Sequence, residues 1–193
     1  MEKIIQKRFK ESAEVKSRFL KENLSKLLEV IKLISHTFEA GNKVFLFGNG
    51  GSAADAQHIA AEFVNRYIMD RPPLPAIALT TDTSVLTSIS NDMAFNEIFS
   101  RQLKALGKEG DVAVGLSTSG NSSNVIKAFE VAQEMGMRTV ALTGNDGGAL
   151  SKIADLTLVV SSSSTPRIQE THILVGHLLC EMVEHQLFFK VTP

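Results

Sequence analysis

Two short segments rich in glycine and hydroxyl side chains, Gly48-Asn49-Gly50-Gly51-Ser52 and Ser117-Thr118-Ser119-Gly120-Asn121-Ser122, each follow an apolar run of strand character and open a run of helical character. Such a junction holds an anion without a lysine. The free N–H groups and the dipole of a helix's first turn favour negative charge, glycine lets the backbone approach closely, and Ser and Thr hydroxyls add donors. Two such junctions in one chain point to a phosphorylated small molecule as the ligand. His58 and Glu62 follow the first segment four residues apart, so on a helix they lie some 40° apart on one face, at about 100° per residue. Their neighbours Ile59, Ala60, Ala61 and Phe63 are small or apolar. An imidazole and a carboxylate in such surroundings either pair with each other or bind a cation, because a lone charge there is unfavourable. The last helical run offers Gln169, Glu170, His172 and His177 as further ligands. Helical periodicity pairs Glu170 with His177 better than it pairs Gln169 with His177, and spacing does not choose among them. Glutamine is an uncommon zinc ligand, so a site using it is an open, functional one rather than a structural one.

The first loop has two better-known lookalikes. Gly48-x-Gly50-x-x-Ala53 loosely satisfies a dinucleotide fingerprint, but no acidic residue clearly ends a second strand about 20 residues further on. A Walker A loop is excluded because no lysine follows the glycines. With 193 residues and a formal net charge of −1, the chain reads as one domain with a substantial core and no basic field for nucleic acid or an anionic membrane. The N-terminus, Met1 through Lys16, is charged throughout and lacks the features of a signal peptide, and no apolar run reaches the length that spans a bilayer. The single cysteine, Cys180, sits in an apolar helical stretch. It reads as a core residue of a protein in a reducing cytoplasm.

These side chains need a scaffold, and the rest of the chain supplies one. From about Lys7 to Glu39, Phe19, Leu24, Leu27, Leu28, Ile31, Leu33 and Ile34 recur at helical spacing among charges, and Gly41-Asn42 stops the run. Strand-like and helix-like blocks then alternate: Lys43 to Phe47, a helix from Ala53 to about Tyr67, Pro75 to Leu79, and a helical stretch around Phe95 to Leu106. Val112 to Leu116, a helix from Asn121 to about Met135, Thr139 to Leu142, a short helix near Ala149, Leu156 to Val160 and a last helix from Pro166 to about Phe189 complete the series. Five short β-branched-rich runs joined through helices predict an α/β fold: a five-stranded parallel sheet with helices on both faces and right-handed crossovers. A helical extension over residues 1–40 precedes this domain over 41–193. Ligands of such sheets sit outside the carboxyl ends of the strands, where both Ser-rich loops fall.

The segments Gly48 to His58, Asn91-Asp92, Phe99-Ser100-Arg101-Gln102, Ser117 to Ser122 and Thr165-Pro166-Arg167-Ile168-Gln169-Glu170 resemble the bacterial phosphoheptose isomerases of the sugar isomerase (SIS) domain superfamily. The resemblance runs over nearly the whole chain. It implies a flavodoxin-like SIS domain in a cytoplasmic homotetramer with active sites at subunit interfaces, and one zinc per subunit held by His58, Glu62, Gln169 and His177. It thereby selects Gln169 over Glu170 and leaves His172 outside the set.

The implied reaction converts the 2-ketose sedoheptulose 7-phosphate to D-glycero-D-manno-heptose 7-phosphate through an enediol, the first step toward the activated heptose of lipopolysaccharide and other surface polysaccharides. Glu62 is the implied base at C1, and His177 the implied acid/base between the substrate oxygens. Ser117, Thr118, Ser119 and Ser122 would take the phosphate. Asn49, Gly50, Gly51, Ser52, Asn91, Asp92, Thr165 and Gln169 would surround the sugar. Each of these has a plainer reading: Asp92 as a cap for the following helix, Thr165 as the N-cap before Pro166, and the nearby Arg66 as a surface charge. Some relatives carry an acidic residue where this chain has Pro166, which removes one expected sugar contact. Non-catalytic SIS proteins that bind sugar phosphates, or a replication initiator, share the phosphate loops, and the set of four residues separates this chain from them. An amino-sugar phosphate processor of the same superfamily fits a short, single-domain chain less well.

Overall fold

The structure, a computed structural model, describes residues 1–189. Five parallel strands, β1 (Val44–Gly48), β2 (Ala76–Ala78), β3 (Val112–Ser117), β4 (Arg138–Gly144) and β5 (Leu156–Val160), form one sheet in the order β2-β1-β3-β4-β5. Seven α-helices cover it: α1 (Glu2–Glu39), α2 (Gly51–Val64), α3 (Thr83–Asp92), α4 (Ser100–Leu106), α5 (Ser123–Glu134), α6 (Leu150–Ile153) and α7 (Thr165–Phe188). The strands read as apolar runs because both faces are buried. Val44, Leu46, Val112, Val114, Leu116, Val140, Leu142, Leu158 and Val160 meet α1, α2 and α7 on one face. Phe45, Phe47, Ala113 and Ala141 meet α4 and α5 on the other.

Strand order reverses between β1 and β3, since β2 lies beyond β1 on one side and β4 and β5 beyond β3 on the other. This is the switch point at which open α/β sheets leave a crevice beyond the carboxyl ends of the strands. The loop after β1 and the loop after β3 flank it. The start of the same strand pair is tied by Asp111, whose fully buried carboxylate accepts hydrogen bonds from Lys43 N (2.9 Å), Lys43 Nζ (2.8 Å) and Lys108 N (3.0 Å).

α1 begins at Glu2, earlier than its apolar stripe indicates, through residues whose charges pair along the helix, as in Arg8–Glu11 at 2.8 Å. From Val15 to Phe38 its inner face belongs to the same core as the sheet. Asn23 on that face donates to the carbonyl of Val159 (3.1 Å) and accepts from its N–H (3.2 Å), which occupies backbone groups of the edge strand β5.

Helix α3 is an element that the periodicity did not predict. Residues 83–92, TSVLTSISND, include β-branched and hydroxyl residues of modest helix propensity, and none is buried. The helix starts because the Asp82 side chain caps it, accepting from Val85 N at 2.9 Å. Asp92 ends this helix, and the next short 3₁₀ turn, Phe95–Glu97, has Ala94 at its cap, so the capping role considered for Asp92 does not hold. Likewise the N-cap of α7 is Ser164, with Thr165 as the first helical residue before Pro166.

Candidate active site

The loop after β1 turns tightly because of its glycines. A Cβ on Gly48 would stand 2.7 Å from the carbonyl oxygen of Leu116 on the neighbouring strand, and Gly50 has φ +56°. The turn opens α2 with Gly51 exposed and Ser52 buried. Asn49 does not present a free amide. It donates to Asn124 Oδ1 (2.9 Å) and accepts from Asn124 Nδ2 (2.8 Å), a reciprocal pair that bolts this loop to the first turn of α5.

The second loop gathers three hydroxyls in front of α5. Ser117 Oγ and Ser122 Oγ lie 2.8 Å apart, Ser117 Oγ and Ser119 Oγ 3.4 Å, and Ser119 Oγ accepts from Asn121 N at 3.1 Å. Ser122 is the N-cap of α5, yet its side chain makes no capping bond. Open first-turn N–H groups, a 12-residue helix dipole and the hydroxyls therefore converge on one place suited to a phosphate. Thr118 is half-buried and offers its carbonyl to Asn145 Nδ2 (3.2 Å).

The acid–base residues meet where α2 crosses α7. Gly176 makes the crossing close: a Cβ there would lie 2.6 Å from Ile59 Cγ1. His58 precedes Ile59 and His177 follows Gly176, so this contact carries the two imidazoles together, with Nε2 to Nε2 at 2.9 Å. Two ring nitrogens at that separation require one to donate its N–H and the other to accept. Glu62 Oε1 lies 3.4 Å from His58 Nε2. The ring of Tyr67 stacks on that of His177, with centroids 5.5 Å apart and planes 24° from parallel. Asp55, one turn before His58, has its Oδ2 buried without a partner; burial pushes its carboxyl above the ordinary range, against the opposing influence of His58 and His177.

The donor chemistry of this cluster suits zinc, which takes imidazole nitrogen and carboxylate oxygen. Ligands about 2.0–2.2 Å from a tetrahedral ion lie roughly 3.3 Å from one another, and the 2.9 and 3.4 Å separations bracket that value. Beside the cluster the buried Asp55 Oδ2 has no hydrogen-bond partner of its own. Among the described residues no three His, Cys, Asp or Glu side chains already form a metal cage; the two imidazoles bond to each other instead.

The other sequence-predicted residues lie around this cluster or away from it. Gln169 lies with its side-chain amide against Gly51, at the start of α2, and makes no hydrogen bond to His58, Glu62 or His177 among the described residues. Glu170 points away, accepting from Ser12 Oγ of α1 (2.7 Å) and pairing with Arg167. His172 is buried against β4 with Nε2 bonded to the Thr143 carbonyl (3.1 Å), and burial lowers its pKa to about 4. Asn91 and Asp92 are exposed and bonded to each other (2.8 Å). Thr165 and Arg66 are exposed. Cys180 packs against α2 with its thiol pushed far up by burial, which makes it a core group rather than a nucleophile. Asp55, Tyr67 and Asn124 were missed by sequence reasoning. Asp55 alone had a local signal, its i, i+3 spacing to His58 on one helix face.

The family model described as SIS domain matches residues 8–144. The chain is 54% identical over 184 residues to the phosphoheptose isomerase of Thermodesulfovibrio yellowstonii, an alignment covering 95% of this chain and 92% of that protein. Its structure is similar to that of phosphoheptose isomerase from Neisseria gonorrhoeae, with a TM-score of 0.90, 43% identity, and 95% of this chain and 98% of that one covered. It is similar too to the phosphoheptose isomerase from Francisella tularensis, with a TM-score of 0.92, 37% identity, and 95% and 97% covered.

Proposed function

The chain belongs to the SIS domain family, and from that membership, its phosphoheptose isomerase relatives and the site above we infer that it is an aldose–ketose isomerase of sugar phosphates. Its substrate is sedoheptulose 7-phosphate and its product D-glycero-D-manno-heptose 7-phosphate. The observation that carries the reading is the meeting of His58, Glu62 and His177 at the α2–α7 crossing, on the helix that opens from the first of two anion-binding loops.

The phosphate binds in front of α5, on the hydroxyls of Ser117, Ser119 and Ser122 and beside Thr118, where the helix dipole and free N–H groups offset its charge. This anchors one end of an extended sugar and directs its C1–C2 end toward the crossing. Glu62 takes the proton from C1 and returns it to C2, and His177 carries the proton that must pass between O1 and O2 as the carbonyl moves. The close α2–α7 crossing that sets His177 beside His58 orients its ring. Tyr67 covers the face of that ring. The amide pair Asn49–Asn124 keeps the two loops in register, so the distance from phosphate site to base is set by backbone rather than by a flexible side chain.

His58, Glu62, Gln169 and His177 would hold one zinc ion per subunit, which when bound supplies polarisation of the substrate carbonyl and stabilisation of the enediolate. The exposed apolar residues Ile4, Ile5, Phe9, Leu20, Leu24 and Leu28 along α1 support a homotetramer. No helix among the described residues is long and apolar enough to cross a membrane. That and the buried free thiol of Cys180 support a cytoplasmic enzyme whose product feeds activated heptose for lipopolysaccharide and other surface polysaccharides.

The test is NMR of sedoheptulose 7-phosphate in D₂O with chelated protein, zinc-reloaded protein and Glu62→Gln. Metal-stimulated heptose 7-phosphate formation with solvent deuterium at C2, lost in Glu62→Gln, is the expected result. Binding of the sugar phosphate without exchange or conversion under any metal condition would overturn the enzyme reading in favour of a non-catalytic sugar-phosphate binder.

A further inference from the structure

Beyond Val64 the chain leaves α2 and runs through residues 65–75 without regular structure before reaching β2. Arg66, Ile68 and Asp70 are exposed, while Tyr67 and Leu74 pack on the core. One carboxylate gathers the backbone between them. Glu184 of α7 accepts hydrogen bonds from three successive backbone N–H groups, Tyr67 (2.8 Å), Ile68 (3.0 Å) and Met69 (3.2 Å), and from Arg71 Nε at 2.8 Å. Arg71 then reaches back to the end of α2, donating through Nη2 to the carbonyl of Glu62 (2.9 Å) and through Nη1 to those of Phe63 (2.7 Å) and Pro72 (3.0 Å). Those α2 carbonyls belong to the last turn, which has no intrahelical donors, so the guanidinium serves as the helix's C-terminal cap.

Both side chains are almost wholly buried, at 1% exposure for Arg71 and 2% for Glu184. Burial acts to raise the Glu184 carboxyl, but the three N–H donors and Arg71 outweigh it and hold the group below the ordinary carboxylate range. A buried ion pair of this kind is a weak source of stability compared with apolar residues of equal volume. What it supplies here is placement. Glu184 lies two turns beyond His177 on the same face of α7, Arg71 bonds to the backbone of Glu62 itself, and the segment between them lays the Tyr67 ring on His177.

We propose that Glu184 and Arg71 form a clamp that positions the two acid–base residues of the isomerase reaction. Arg71 fixes the α2 turn that carries Glu62, and Glu184 fixes the segment whose Tyr67 braces the His177 ring. Neither clamp residue touches the substrate. The inference rests on the isomerase reading for its catalytic consequence, while the bracing of His177 stands on geometry alone.

The experiment compares Glu184→Gln, Arg71→Lys, Tyr67→Leu and Tyr67→Phe in the full chain by steady-state kinetics on sedoheptulose 7-phosphate. The ring resonances of His177, assigned by comparison with His177→Gln, are followed beside them. Tyr67→Leu leaves the buried clamp intact and tests the brace even if the clamp variants fold poorly. The expected result for Tyr67→Leu and Glu184→Gln is a fall in kcat of about tenfold or more with KM within about twofold of wild type. Tyr67→Phe, which keeps the ring, should restore kcat, and Arg71→Lys should show the same kcat loss because an ammonium cannot bridge Glu184 and three carbonyls. The His177 resonances should move in Tyr67→Leu and in Glu184→Gln. Wild-type kcat in Tyr67→Leu, unmoved His177 resonances, or losses in the clamp variants that merely follow the folded fraction would overturn the clamp. A wild-type protein that does not isomerise the substrate would overturn the isomerase reading and the clamp's catalytic role with it, while unmoved or moved resonances still decide the brace.

Discussion

Replacing Gly176 by alanine sets two effects of opposite sign against each other. Gly176 is interior to α7, and alanine there gains about 0.8–1 kcal/mol of helix propensity. Its Cβ, however, would stand 2.6 Å from Ile59 Cγ1, where carbon atoms settle at about 3.5–4.0 Å. Roughly 1 Å has to come from backing α2 away from α7 or from driving Ile59 off its rotamer, and overpacking of that kind costs about 1–3 kcal/mol. Overpacking therefore wins, and the expected net loss is about 1 kcal/mol. The effect on turnover is larger, because the same crossing sets the 2.9 Å separation of His58 and His177. A misplacement of about 1 Å at reacting groups lowers rates by as much as 10²-fold. The assay is urea denaturation together with kcat on sedoheptulose 7-phosphate, for Gly176→Ala, Ile59→Ala and the double variant. Ile59→Ala removes the atoms that clash, so the double variant should be more stable than the sum of the single losses. A Gly176→Ala protein that gains the full propensity term and keeps wild-type kcat would refute the argument that this contact sets the site.

Three further outcomes are expected. Burial holds the folded pKa of His172 at about 4 against an ordinary 6.5, despite its bond to the Thr143 carbonyl. The unfolded chain therefore takes up a proton that the folded one refuses as pH falls through that window. Stability should be flat with respect to this group above about pH 6.5 and fall by about 3 kcal/mol toward pH 4, a slope absent from His172→Gln in pH-dependent denaturation curves. Asn124→Ala strands the half-buried amide of Asn49; about 1–3 kcal/mol of stability should be lost, and KM for the sugar phosphate should rise as the two loops lose register. Cys180, buried and with its thiol pushed up, should resist alkylation in the native protein and react fully in urea, as mass spectrometry would read directly.

Much of the architecture was legible because its causes are local or periodic. Continuous apolar runs such as Val44–Gly48 and Val112–Ser117 are what two-sided burial in a parallel sheet requires, and glycines such as Gly48 and Gly50 stand where the strand-to-helix turn admits little else. The i, i+4 spacing placed His58 and Glu62 on one helix face, and the hydroxyls of the second loop were visible as a motif. Resemblance in those same segments led to the SIS domain family. Local sequence did not reveal α3, whose start rests on one side-chain cap and which has no fully buried residue, only Leu86 and Ile89 partly covered.

Tertiary structure alone decided what the polar side chains do across long separations. Periodicity left Gln169 and Glu170 as alternatives; the fold turns Glu170 to Ser12 of α1 and lays Gln169 against Gly51. It commits the Asn49 amide to Asn124, joins His58 to His177 across 119 positions, and brings Glu184 to a segment more than a hundred residues earlier in the chain. The physical reason is the same throughout. A strand or a helix face follows from neighbours a few residues away, whereas these partnerships exist only where packing brings separate elements together, as Gly176 does for α2 and α7, and no local signal in the chain carries that distance.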